Sequence, residues 1–137
     1  MKTLEVVAAV IEKDGKFLVA QKPSNHAVIP NKWEFPGGRT DGQAHNVALK
    51  RELREEMDGF EVDIERFLGK YTHSYDGKTM IELYAYLCYP KNEPRCLEHQ
   101  KIAWVDPRNL LFYDMAHIDM EIVRTALVRK TQYPKSS

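Results

Sequence analysis

The hydrophobic pattern opens with an unbroken apolar run, Val6-Val7-Ala8-Ala9-Val10-Ile11. A run without polar alternation predicts a strand covered on both faces. Asp14-Gly15 is a hairpin signal, and Lys16-Phe17-Leu18-Val19-Ala20-Gln21 is expected to return as the second strand. Residues 23–31 carry Pro, Ser and Asn without periodicity and predict a loop. From Gln43 to Asp58 there is neither Pro nor Gly, room for about four helical turns. Thr40-Asp41-Gly42-Gln43 has capping-box spacing, with Thr40 at the N-cap.

Beyond that helix, Val62, Ile64 and Phe67-Leu68-Gly69 begin an extended stretch running to Tyr75, and Asp76-Gly77 marks a second hairpin. Ile81, Leu83, Ala85 and Leu87 alternate with Glu82, Tyr84, Tyr86 and Cys88, the pattern of a half-buried strand. Ile102 to Val105 reads as a short strand, and Asp106-Pro107 as a helix start with Pro in the first turn. The last helix is expected from about Asp119 to Arg129, with Ile122, Val123 and Ala126 inward, and residues 131–137 are expected to fray. Strands interleaved with these helices predict a mixed sheet between helical layers, as one domain over residues 1–137.

The chemistry concentrates on the first helix. At about 100° per residue, Glu52, Glu55 and Glu56 fall within one arc of roughly 100°, beside the apolar arc of Leu49, Leu53 and Met57. Glu52–Glu55 and Glu52–Glu56 are like-charge pairs, each unfavourable by about 0.2–0.5 kcal/mol on an exposed helix. Partial burial adds to that cost by disfavouring the ionised form. A hard divalent cation relieves the repulsion, because clustered carboxylate oxygens are the ligands it takes. The alternative is a solvated charged face, with Arg51 pairing Glu55 at i,i+4.

The upstream glycines favour the metal reading. Gly37 to Gly59 resembles the Nudix box, a loop-helix-loop metal site. Arg51-Glu52-Leu53-Arg54-Glu55-Glu56 matches the core of that motif without a gap, and Gly37 stands at its leading glycine. Gln43 occupies the first glutamate position, the turn Arg39-Thr40-Asp41-Gly42 is one residue short, and Asp58 stands where a glycine is expected, with Gly59 one place late. Trp33-Glu34-Phe35-Pro36 and the stretch from Glu98 to Val105 also resemble small MutT-like nucleoside triphosphate pyrophosphohydrolases. The N-terminal half is most similar to the CTP/dCTP pyrophosphohydrolase branch.

The resemblance implies an α/β/α sandwich that hydrolyses a nucleoside diphosphate linkage. It implies Mg²⁺, with Mn²⁺ as a substitute, held by Glu52, Glu55 and Glu56 with the Gly37 carbonyl. Glu98, or a glutamate of the box helix, is the general base it implies, and Arg51 an organiser of the turn. On the substrate side it implies Gly38, Arg39 and one of Trp33 and Phe35. Asp119 matches by register the Asp or Asn that contacts the base edge, where an accepting carboxylate would favour an amino group such as that of cytosine. The simpler role for Asp119 is an N-cap.

Charge and composition narrow the partners. Lys+Arg and Asp+Glu are 20 each, so no overall field draws the chain to nucleic acid or membrane. A small nucleotide fits that balance better than capped RNA. Cys88 and Cys96 lack metal-site spacing, no stretch of 18 apolar residues occurs, and no signal peptide precedes the first strand. The expectation is a cytoplasmic enzyme, with its oligomeric state open. Rival functions are a nucleotide sensor without turnover, motivated by Gln43, or hydrolysis of ADP-ribose or dinucleotides. No feature supports a protein-interaction module.

Overall fold

The computed structural model describes residues 1–128, so the expectation for the tail 131–137 lies outside the described residues. The apolar run of the sequence lies inside a twelve-residue strand, β1 (Lys2–Lys13). It turns at Asp14-Gly15 into β2 (Lys16–Gln21), as expected. β3 (Trp33–Glu34) and β4 (Gly37–Arg39) flank Pro36. After helix α1 (His45–Glu56) come β5 (Val62–His73), β6 (Thr79–Pro90) and β7 (Lys101–Val105). Two short helices follow, α2 (Pro107–Leu110) and α3 (His117–Ile122), and a π-helical turn, Val123–Leu127, continues α3.

The sheet is mixed: its main order is β3-β2-β1-β6-β5, with β4 on β1 and β7 on β2. β1 runs parallel to β6 and antiparallel to β2 and β4. Burial of β1 on both faces follows from its central place. Val7, Ala9 and Ile11 pack against Ala48, Leu49, Leu53 and Met57 of the α1 layer. Ala8 and Val10 face the opposite core, with Leu110, Ile118 and Ile122 of the α2–α3 layer. This is the α/β/α sandwich expected from the sequence. β6 alternates as the sequence predicts, Leu83, Ala85 and Leu87 being buried in one core and Glu82, Tyr84 and Tyr86 only partly covered; Cys88 alone of the polar-side set is fully buried, in the α1 core.

Three local expectations are corrected. The first helix starts at His45 with Ala44 at its N-cap, and no side chain caps it. Thr40 and Gln43 instead close a backbone turn, Gln43 N to Thr40 O at 2.9 Å. The last helix begins two residues early at His117, and Val128 is already extended. Ala126 is exposed rather than inward, while Ile122 and Val123 are fully buried. α1 stops where Asp58 and Gly59 both take positive φ, 49° and 77°, and Gly59 N bonds back to Arg54 O at 2.9 Å. Consecutive left-handed residues of this kind end a helix. The extra residue after the box is therefore accommodated in the cap.

Candidate active site

The glycine strand β4 brings backbone against α1. A Cβ on Gly38 would lie 2.5 Å from the Glu52 carboxylate, and one on Gly37 only 2.0 Å from Val7 O. The backbone oxygen leaves no room for a side chain at Gly37, and one at Gly38 would have to displace the Glu52 carboxylate, so these two glycines let the strap pass between β1 and the helix. Arg51 ties the strap down. Its guanidinium donates to Arg39 O at 2.7 Å, to Glu52 Oε1 at 2.8 Å, and to Gln43 Oε1. Arg51 thus bonds the turn it was expected to hold, with Glu52 rather than Glu55 as its carboxylate partner. The Gln43 side chain serves Arg51 instead of capping the helix.

The three box glutamates share an arc but not an environment. Glu55 is exposed, Glu52 is half-buried against Gly38, and Glu56 is buried. Among the described residues, no three acidic, histidine or cysteine side chains already converge to hold a metal. Glu56 Oε2 is nevertheless buried without a hydrogen-bond partner. Burial, reinforced by the negative charge of Glu34, pushes its carboxyl up to about 9, with Lys22 acting in the opposite direction. A buried, unbonded carboxylate oxygen beside a second carboxylate fits a hard divalent cation, which takes oxygen ligands of this kind.

A cavity of about 530 Å³ opens beside the strap, lined among others by Lys22, Glu34, Phe35, Gly38, Arg39 and Asp119. Asp119 is not an N-cap; Ala116 holds that position. Its carboxylate instead accepts the Phe35 N–H at 2.8 Å from a buried position, joining α3 to the strap. Burial and then the Glu34 charge raise the Asp119 pKa well above the ordinary carboxylate range. Phe35 lines the cavity, whereas Trp33 lies off it, edge-on to Tyr113 with ring centroids 5.1 Å apart. Of the two aromatics, Phe35 is the one on the cavity wall.

Sequence reasoning assigned no role to Glu34 or Lys22 and left His99 without one. Glu34 Oε2 meets Lys22 Nζ at 3.0 Å and His99 Nε2 at 2.9 Å. Burial opposes the Lys22 charge, but Glu34 outweighs it and holds the Lys22 pKa above its ordinary value. The available signal was a charged residue set between two aromatics immediately before the glycines. Glu98 is exposed on the loop before β7, and its charge reaches Glu56.

A model of the NUDIX domain matches residues 1–126. The chain belongs to the Nudix family. It is 34% identical over 138 residues to the CTP pyrophosphohydrolase of Escherichia coli K12, covering 98% of each chain. It is 28% identical to the nucleoside triphosphatase NudI of Salmonella paratyphi B, over 84% of this chain and 90% of that one. The solution structure of the E. coli ORF135 protein superposes with a TM-score of 0.78 at 32% identity, over 91% of this chain and 89% of that one. This Nudix protein is a pyrophosphohydrolase. No helix among its described residues is long and apolar enough to cross a membrane.

Proposed function

We propose that this Nudix enzyme hydrolyses a nucleoside triphosphate, CTP or dCTP first among candidates, to the monophosphate and diphosphate with Mg²⁺. The observation that carries the reading is the buried Glu56 oxygen with no hydrogen-bond partner among the described residues, one helical turn from Glu52, whose carboxylate lies against Gly38 on the wall of a nucleotide-sized cavity. The E. coli relative named CTP pyrophosphohydrolase supports the base assignment.

Glu52 and Glu56 with the Gly37 carbonyl would hold the cation, Glu55 completing the set from its exposed position. When bound, the cation supplies charge neutralisation at the phosphate oxygens and a water of lowered pKa. Arg51 holds the strap and Glu52 in place. Glu98 takes the proton of the attacking water, being exposed and close enough to Glu56 for their charges to interact. The phosphate chain runs along Gly38 and Arg39, and the base enters beside Phe35 and Asp119. With one Asp119 oxygen committed to the Phe35 amide and the carboxyl held towards its neutral form, this acid can donate as well as accept. It therefore suits a base edge that pairs a ring nitrogen acceptor with an amino donor, as cytosine does.

A panel of nucleotides with Mg²⁺, assayed separately for diphosphate and orthophosphate, tests the proposal. Diphosphate release fastest from a cytosine nucleotide is expected. Orthophosphate as first product, or binding without turnover, would replace it with a phosphatase or a nucleotide sensor.

A further inference from the structure

The loop before β7 is stitched to the rest of the molecule on both sides of Glu98, and the stitch runs through a buried histidine. His99 is only 8% exposed, although Leu97 and Glu98 before it and Gln100 after it are exposed. Its Nε2 lies 2.9 Å from Glu34 Oε2, which also meets the Lys22 ammonium at 3.0 Å. A carboxylate oxygen that accepts from an ammonium has no proton to give, so His99 Nε2 carries the hydrogen and donates it. The other ring nitrogen, Nδ1, is buried with no hydrogen-bond partner among the described residues. The bond to Glu34 is therefore what fixes the ring.

Neighbouring contacts make that ring the hinge point of the segment. Cys96 Sγ donates to His99 O at 3.0 Å, and Gln100 N donates to Gln21 O at 2.9 Å. The Gln100 amide reaches Lys22 O at 2.8 Å and Asn31 Oδ1 at 2.7 Å. Glu98 lies with Leu97 between these anchors, and its backbone position is set by theirs. Glu34 lines the cavity on the strand that leads into the glycine strap. One carboxylate oxygen thus joins the cavity wall to the loop that carries the general base.

We propose that His99 is a positioning residue for Glu98, acting through its Nε2–H bond to Glu34. The inference rests on the hydrolase reading above and on the assignment of Glu98 as base. Groups that orient a reacting residue without touching substrate typically contribute about 10–100-fold to activity. A positioning role also makes a specific prediction about coupling, because two residues that act as one unit lose their effects together rather than additively.

The test uses the whole chain and the isosteres of histidine. Glutamine places its amide nitrogen near Nε2 and keeps the bond to Glu34; asparagine places it near Nδ1 and cannot reach. His99→Asn is expected to lower kcat by about 10–100-fold with little change in KM. His99→Gln is expected to recover most of that loss. In the Glu98→Gln background, His99→Asn should add no further loss. Amide hydrogen exchange without metal should accelerate over residues 96–100 in His99→Asn, and not in His99→Gln or Glu98→Gln. Should His99→Asn fail to fold, the same exchange and kcat measurements on His99→Gln and on Glu34→Gln, which weakens the acceptor, keep the inference open to refutation.

Equal losses in His99→Gln and His99→Asn would overturn the proposal. So would losses that multiply with Glu98→Gln, or a loss confined to KM. Absence of diphosphate release from the unaltered protein would defeat the hydrolase reading instead, and the exchange data would still decide whether the bond orders the loop.

Discussion

Glu56 on α1 and Asp119 on α3 are both carboxylic acids taken out of water, 6% and 4% exposed, on opposite faces of the sheet. Glu34 raises the pKa of each, after burial itself. They differ in what compensates them. Asp119 accepts a backbone amide at 2.8 Å that joins helix to strap. Glu56 leaves a buried oxygen with no partner. An unsatisfied buried polar group costs about 1–3 kcal/mol, so a fold retains one where a ligand later satisfies it or where function requires it. The comparison separates an acid built into the fold and lining the cavity from an acid kept in readiness.

The largest test breaks the Glu56 half. Glu56→Gln should reduce turnover by orders of magnitude, because it removes a ligand charge from the cation on which the chemistry depends. It should also raise the melting temperature of the metal-free protein near neutral pH, since an amide enters the fold without the proton uptake that the buried acid requires. Full activity at saturating Mg²⁺ would sink the metal-site assignment.

Next in size is the Asp119 half. Asp119→Ala leaves the Phe35 amide without its acceptor, so both the base preference and the stability should fall. The kcat/KM ratio for CTP over UTP is expected to drop by about 1–3 kcal/mol, the cost of an unpaired buried polar group. An unchanged ratio with a lowered melting temperature would leave Asp119 a structural acid alone.

A pH titration contrasts the two acids without mutation. Both have native pKa values raised above those of the unfolded chain, so the native state holds protons that the unfolded state has released. The contribution of Glu56 to the stability of the metal-free protein is therefore full below about pH 4.5 and is lost as pH rises towards about 9, where Glu56 ionises. Thermal unfolding between these limits checks the sign, and Glu56→Gln should flatten the slope. Added Mg²⁺ should stabilise more at pH 8 than at pH 5, because it binds the ionised native form. A slope left unchanged by Glu56→Gln would contradict the raised Glu56 value.

The smallest expected effect is at the edge of the site. Gln43→Glu keeps an oxygen for Arg51 to donate to, and the pair is exposed, so the gain should be no more than about 1 kcal/mol. Turnover should persist, with a modest rise in Mg²⁺ affinity. Loss of activity would show that the shortened turn depends on a neutral side chain there.

Local pattern was enough to anticipate the sandwich and to point to α1 as the candidate site. The unbroken run from Val6 to Ile11, the Asp14-Gly15 turn and the Glu/Leu arcs of α1 are local patterns, and local periodicity dictates which faces can be buried. What it left open depended on contacts between residues far apart in the chain. Glu52, Glu55 and Glu56 look alike on a helical wheel, and only the position of the Gly37-Gly38 strap and the sheet makes one buried, one half-buried and one exposed. The capping-box spacing at Thr40 was overridden because Arg51 takes up the Gln43 side chain. Asp119, an N-cap by position in the sequence, was placed at the third residue of α3 and bonded to an amide 84 positions away. The bond between Glu34 and His99 spans 65 positions. No periodicity records such pairings, because they arise only when β2, β3 and the loop before β7 are brought side by side in the sheet.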